Sequence, residues 1–352
     1  MNFKQRKEKI EGYLKTYASI SNQEAQVLTG AHRNTLTHDF QKMLQAGLLL
    51  KSGRGKGTRY QLTGNVLFSA KILQPLWPRK RQGDLERYFK KSSRSAVFFE
   101  RVAPQAFSAS FAFEDHLVMA LQRRQSDIER RRQALGEIER KRIKERLAID
   151  LSWASARIEG STYSLLETEA LIKYQQTAHG KSLHEAQMIL NHKLTLDYLR
   201  SSADYRKLSK HKVFALHQLL IQGLGVETGF RKHLVKISNS SLVPCDNEFQ
   251  IASWFEKMLS VINACEQILA KAVAANLLLA FLQPFGDGNK RTARMLGNGI
   301  LLAHGLLPVS FSRTPKEAYI KSVLTFYEKQ DPSYFKFLFL NELNHSFLEY
   351  IG

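Results

Sequence analysis

The chain has 352 residues, 43% of them hydrophobic and 24% charged, the composition of a folded globular protein rather than a disordered one. That length allows two or three domains, each with its own core. The longest apolar stretch, 272–282, is far too short to span a bilayer, and the basic N-terminus has no apolar segment behind it to make a signal peptide. Two cysteines, Cys245 and Cys265, show neither metal spacing nor a disulfide framework, so a reducing cytoplasmic setting is expected. The formal net charge is +20, and sixteen of those excess positive charges fall in the first 147 residues. A polyanion facing the N-terminal part, most simply nucleic acid, accounts for that asymmetry; solubility alone is the plainer account.

Residues 1–64 read as a small unit. An amphipathic run (Ile10, Tyr13, Leu14, Tyr17) precedes Ser21, a good N-cap for a short helix over 22–28, and Gly30 makes a turn. A second helix over 33–46 puts Leu36, Phe40 and Leu44 on one face. Leu48 to Leu50, the Gly-rich basic turn 51–57 and residues 58–62 then read as a β-hairpin. This order resembles a winged helix-turn-helix. It implies DNA contacts from Arg33, Asn34, Thr35, Thr37 and His38 on the second helix and from Arg54, Lys56 and Arg59 on the wing. A module used only for protein contacts has the same pattern.

Residues 65–145 read as a connecting region ending in a long basic helix or helix pair, with charge runs that most simply make a solvated face. From about 143 onward helix follows helix. Ile143, Leu147, Leu151, Ala154 and Ile158 form a stripe ending at Gly160, and Ser164/Glu167 and Ser182/Glu185 are capping boxes opening new helices. Alternation and turn residues over 229–244 predict a short hairpin. The expected architecture is mainly α, with one β-hairpin flap and the N-terminal winged helix.

The segment 281–294, FLQPFGDGNKRTAR, carries the chemistry. An apolar helix stops at Pro284, a loop holds Asp287 between Gly286 and Gly288, and a new helix opens with Asn289, Lys290, Arg291 and, one turn on, Arg294. Such a helix start offers free N–H groups and a positive dipole end to an anion. Two arginines three residues apart can fork onto phosphate oxygens, and Asp287 is placed to hold a divalent cation bridging them. A triphosphate with Mg²⁺ explains the combination.

This segment resembles the Fic signature His-Pro-Phe-x-(Asp/Glu)-Gly-Asn-Gly-Arg-x-x-Arg at Pro284, Phe285, Asp287, Gly288, Asn289, Arg291 and Arg294. Ser155-Ala-Arg-Ile-Glu159-Gly160 resembles the inhibitory (Ser/Thr)-x-x-x-Glu-(Gly/Asn) motif of that family, and Gly229-Phe-Arg231 with the predicted hairpin resembles its flap. The resemblance implies a Fic domain over 146–310, an inhibitory helix over about 146–160 and C-terminal helices, 311–352, packed on the Fic core. It implies AMP transfer from ATP to a hydroxyl of a protein target. Asp287 would bind Mg²⁺; Gly288, Asn289 and Lys290 would form the anion hole; Arg291 and Arg294 would hold the β/γ-phosphates. Ser155, Glu159 and Gly160 would form the inhibitory element, with Glu159 pairing with Arg294. Lys236, Ile237, Ser238 and Asn239 of the flap would hold the target as an added strand.

Two positions depart from the signature. Gln283 stands where the family has its catalytic histidine, and a glutamine amide orients a hydroxyl without accepting its proton. Losing a general base costs on the order of 10²–10⁴ in rate. Lys290 stands where the commoner signature has glycine; it is similar to the Doc branch, which transfers the γ-phosphoryl group but lacks a counterpart of Arg294. The residues leave three readings: an autoinhibited adenylyltransferase impaired at Gln283, an enzyme that removes AMP with Glu159 orienting water, or a non-catalytic ATP-responsive DNA-binding regulator. No membrane partner is expected. The Phe- and Leu-rich stretch 334–348 is core or the contact of a homo-oligomer.

Overall fold

The computed structural model describes residues 1–16, 19–46, 48–53, 55–62, 73, 76–91, 93–201 and 204–350. The N-terminal unit contains α1 (Phe3–Thr16), β1 (Ile20–Ser21), α2 (Asn22–Thr29), α3 (Arg33–Gln45), β2 (Leu49–Ser52) and β3 (Arg59–Leu62). The strands form one antiparallel sheet in the order β1-β3-β2, with Leu49 opposite Leu62 and Ile20 opposite Tyr60. Ser21 caps α2 in a full capping box with Glu24, and Gly30 ends that helix at φ +67°. The helix stripes meet over this sheet: Ile10, Leu14, Leu36, Phe40 and Met43 are buried with Ile20, Leu49 and Tyr60. Phe40 stacks on Tyr60 at 3.8 Å, and the buried Asp39 carboxylate is answered by Arg6 at 2.6 Å.

The second body is mainly helical. It opens with α4 (Arg79–Phe89), β4 (Val97–Phe98), α5 (Phe99–Ser108), α6 (Asp115–Ala134) and α7 (Glu137–Glu159). It continues with α8 (Leu165–Tyr174), α9 (Leu183–Ser201), α10 (Lys210–Ile221), β5 (Leu242–Val243), α11 (Glu248–Ala264), α12 (Ile268–Leu282), α13 (Asn289–Ala303), α14 (Lys316–Lys329) and α15 (Ser333–Tyr350). Helix α12 is apolar all round, as suits a central helix: thirteen of its side chains are buried, and α13 packs along it. That contact needs a glycine at 297, where a Cβ would lie 1.9 Å from Asn276 Nδ2.

Three expectations of layout are corrected. The region 65–145 is no mere connector: Leu73, Phe99, Phe107, Phe111, Phe113, Leu117 and Leu121 share one core with α12, and Phe99 stacks on Phe281 at 4.8 Å. The boundary expected between 145 and 146 falls inside α7, because the exposed basic run and the apolar stripe share one uninterrupted helical ladder. The hairpin expected over 229–244 is not formed. Its one strand, β5, pairs in parallel with β4, Val97 opposite Leu242, and a turn at 237–240 places Asn239 at φ +57°. Aromatic burial on α14 and α15 (Phe326, Tyr327, Phe335, Phe339, Phe347) makes the C-terminal stretch part of the same core.

Because the N-terminal unit has its own small core, Phe40→Ala should cost it about 3–5 kcal/mol and unfold it selectively. Calorimetry should show the loss of a low-temperature transition while the main transition is kept.

Candidate active site

Helix α12 stops at Gln283, whose backbone turns to φ +50°. The turn is held from outside: the buried Arg231 guanidinium donates to the carbonyls of Gln283 (2.6 Å), His233 (2.9 Å) and Cys245, and its amide donates to Pro284. The loop is then closed by Asn289, whose side chain accepts from the Phe285 amide at 2.9 Å and donates to its carbonyl at 2.8 Å. Phe285 stacks on His217 at 3.7 Å. Burial pushes His217 down to about 4, so the ring is neutral, and its Nε2 donates to the Asp287 carbonyl at 2.9 Å. Gly288 starts α13 at φ +80°, where a Cβ would sit 3.1 Å from Ile221.

Over this loop opens a cleft of about 140 Å³. Its walls are Glu159 at the end of α7, residues 235–238, Gln283, and residues 286–290, so the first turn of α13 faces into it. Asp287 lies at the rim with a side chain 64% exposed; its Oδ2 accepts from Arg291 Nη2 at 2.8 Å. The rest of the Arg291 guanidinium is buried and donates to the Leu220 carbonyl. Lys290 is half-buried and lines the cleft. Asn289, expected in the anion hole, spends its side chain on the loop and presents only its backbone. Gln283 is likewise engaged: its amide nitrogen donates to the Ala280 carbonyl and lies 3.4 Å from the Tyr327 hydroxyl.

Arg294 is 4% exposed and surrounded by oxygen. Its Nε donates to Ser155 Oγ (2.9 Å), and its Nη2 donates to the Ser155 carbonyl (3.1 Å) and to Glu159 Oε1 (2.8 Å). Tyr319 adds its hydroxyl at 3.4 Å and its ring at 5.5 Å. Burial on its own would raise the Glu159 carboxyl, but Arg294, then Lys290 and Arg291, outweigh it and hold the group below the usual carboxylate range. Gly160 ends α7 at φ +108°. The next turn is tied to α9 by Glu185 Oε2, which accepts from Ser161 and Thr162, while at the start of α9 Ser182 Oγ accepts from the Glu185 amide at 3.2 Å and donates to Oε1 at 3.4 Å.

Of the flap residues, Lys236, Ser238 and Asn239 are exposed and Ile237 is buried. Glu328 holds the segment from beneath. It accepts from the Ser241 amide at 2.9 Å and from Tyr88, and it pairs with Arg94, which donates to the Asn239 carbonyl. On α3, Arg33, Asn34, Thr35, Thr37 and His38 are all exposed, while Leu36, Asp39 and Phe40 face inward. Arg59, the third candidate on the wing, has its guanidinium bound at 2.8 Å to Glu24 and at 2.6 Å to Ser19 while its side chain stays 43% exposed. Arg54 lies outside the described residues, as does the side chain of Lys56.

Three participants carried no sequence signal of their own: His192, His217 and Tyr319 come from three separate helices and meet only in the fold. His192 and His217 are buried and neutral, burial pushing His192 down to about 3. Each has a native pKa below its unfolded value, so the unfolded chain takes up protons that the native one refuses as pH falls below about 6.5. Stability is therefore lost on acidification, about 2 kcal/mol per histidine by pH 5. The Glu159 pair keeps its contribution until pH falls through the lowered carboxyl value and adds nothing to this window. Urea midpoints should fall from pH 7 to pH 5, and His192→Gln should remove about 2 kcal/mol of that fall.

Comparison with known proteins points to the same segment. Residues 207–301 match the Fic/DOC family. The protein adenylyltransferase Fic of Drosophila sechellia is 26% identical over 207 residues, which is 56% of this chain and 42% of that protein, so this chain spans well under half the length of that relative. The structure of Fic-1 (residues 134–508) from C. elegans superposes with a TM-score of 0.56 at 18% identity, covering 94% of this chain and 90% of that one. A Fic family protein from Desulfovibrio desulfuricans G20 gives 0.56 at 21% identity, covering 68% and 74%. The helical body has the fold of these structures, and the stretch 207–301, which contains the loop and the start of α13, is similar to the Fic/DOC family.

Proposed function

We propose that the chain is a Fic-type protein adenylyltransferase held in check by Glu159 and impaired at Gln283. The observation that carries this reading is convergence: a carboxylate from α7, the segment 235–238, the Gln283 turn and the N-terminus of α13 line one cleft. In the reaction a target hydroxyl oxygen bonds to the α-phosphorus of ATP while the bond from that phosphorus to the bridging oxygen breaks, pyrophosphate leaves, and the hydroxyl proton passes to solvent water, since Gln283 cannot hold it. The amides at the start of α13 and the guanidinium of Arg294 would take up the β- and γ-phosphate charge. Mg²⁺ suits this donor set: Asp287 is a single rim carboxylate, and this cation binds through one or two carboxylates plus phosphate oxygens. When bound it neutralises charge on the leaving pyrophosphate.

Two features restrain the chemistry. Glu159 occupies the Arg294 fork that a γ-phosphate needs. Gln283 cannot receive the proton leaving the hydroxyl, and its amide is already engaged with Ala280. That second point favours an alternative, a nucleotide-responsive regulator in which ATP sets the state of the helical body without transfer. Removal of AMP, with Glu159 orienting water, remains within the enzyme reading. We propose further that residues 1–62 form a winged helix binding DNA through the exposed face of α3; the sheet order and the charge of the N-terminal part support it.

With Mg²⁺ and ATP labelled at the α- or γ-phosphate, the unaltered chain should label itself or a lysate weakly. Gln283→His should raise α-label by on the order of 10²–10⁴, and Glu159→Gly should raise it further. Nucleotide binding without label in any version would reject the enzyme and favour the regulator. In duplex-DNA titrations, Arg33→Ala should reduce the salt slope by about 1. An unaltered chain that ignores DNA at low salt would remove the DNA proposal.

A further inference from the structure

Behind Arg294 lies a histidine that the proposed chemistry does not use. His192, on α9, is fully buried, with Nδ1 2.7 Å from the Met188 carbonyl and Nε2 2.8 Å from Ser155 Oγ. A carbonyl can only accept, so Nδ1 carries the proton. Burial keeps the ring from taking a second, and Nε2 is left with a lone pair. The Ser155 hydroxyl must then donate to Nε2, which leaves its own lone pair for Arg294 Nε at 2.9 Å. One helix carbonyl thus sets the direction of three successive hydrogen bonds.

We infer that His192 is a positioning residue for Arg294, acting through Ser155 to present the guanidinium Nη donors to Glu159 in the closed site and to a γ-phosphate in the loaded one. The inference rests on the phosphate-site reading above and deepens it. Ser155 holds the Nε edge and part of Nη2, so the outward donors are fixed whichever anion arrives. Without the imidazole acceptor, the serine hydroxyl loses its orientation and Arg294 loses its rear anchor. A histidine that merely filled the core would affect every ligand, or none.

The test uses the full chain with Glu159→Gly, Mg²⁺, and two probes in calorimetry: ATP, and AMP, which has no β- or γ-phosphate for Arg294 to meet. His192→Leu should weaken ATP roughly tenfold, the worth of one charge-assisted hydrogen bond, and leave AMP unchanged. His192→Gln, whose Oε1 can stand where Nε2 stands, should retain ATP affinity. Ser155→Ala should lose as much as His192→Leu, and the two together no more than either. Equal losses for ATP and AMP, an unchanged ATP affinity in His192→Leu, or additive losses would overturn the inference while leaving the phosphate site standing. If Glu159→Gly with His192 intact takes no ATP, the phosphate-site reading fails and this inference falls with it.

Discussion

A guanidinium buried to this depth has to be answered on every side, and the site is organised around meeting that demand at Arg294. Withdrawing one partner from a buried ion pair costs about 3–5 kcal/mol, because the remaining charge is left in a poor solvent. The protein supplies serine, carboxylate and phenol from α7 and α14, elements distant in sequence. Since the carboxylate is the one charged member of that set, it is also the member an anionic ligand can replace without leaving the arginine unsatisfied. In the function proposed above, inhibition and phosphate binding are two solutions to one electrostatic requirement.

The rest of the cleft is rigid for a complementary reason. The loop between α12 and α13 contains few side chains that could pack, so it is held by hydrogen bonds that begin or end on backbone. Arg231 gathers three carbonyls, Asn289 closes a two-bond ring with Phe285, and His217 fixes the Asp287 carbonyl. These bonds leave the amides at the start of α13 directed at the cleft. A neighbouring triad of Glu328, Arg94 and Tyr88 does the same for residues 239–241, joining that strip to the segment preceding α5.

Much of this was legible in the residues. Gly160 marked a helix end because the backbone there needs a left-handed turn, and the pairing of Glu159 with Arg294 was implied by the family resemblance of two motifs. What stayed hidden was of another kind. His192 looks like any polar residue on a helix, and its meaning depends on α7 passing beside it. Alternation over 229–244 suggested self-pairing, but the strand partner, Val97–Phe98, comes from about 145 residues upstream, a separation no local pattern reports. Residues 65–145 looked like a linker because their charges are local while their aromatic side chains pack at long range, against Phe281 and Phe326. Arg59 looked free because its partners, Ser19 and Glu24, lie across the small sheet.

Helix α7 unites two segments that the sequence seemed to separate. Its 23 residues extend about 34 Å, with Glu137–Arg146 largely at the surface and Leu147 onward gripped by the core. An uninterrupted helix of this length with neither proline nor internal glycine has no site for a sharp kink, so the position of one half fixes the axis of the other. The basic run at the surface and the carboxylate in the cleft are therefore two ends of one continuous hydrogen-bonded ladder.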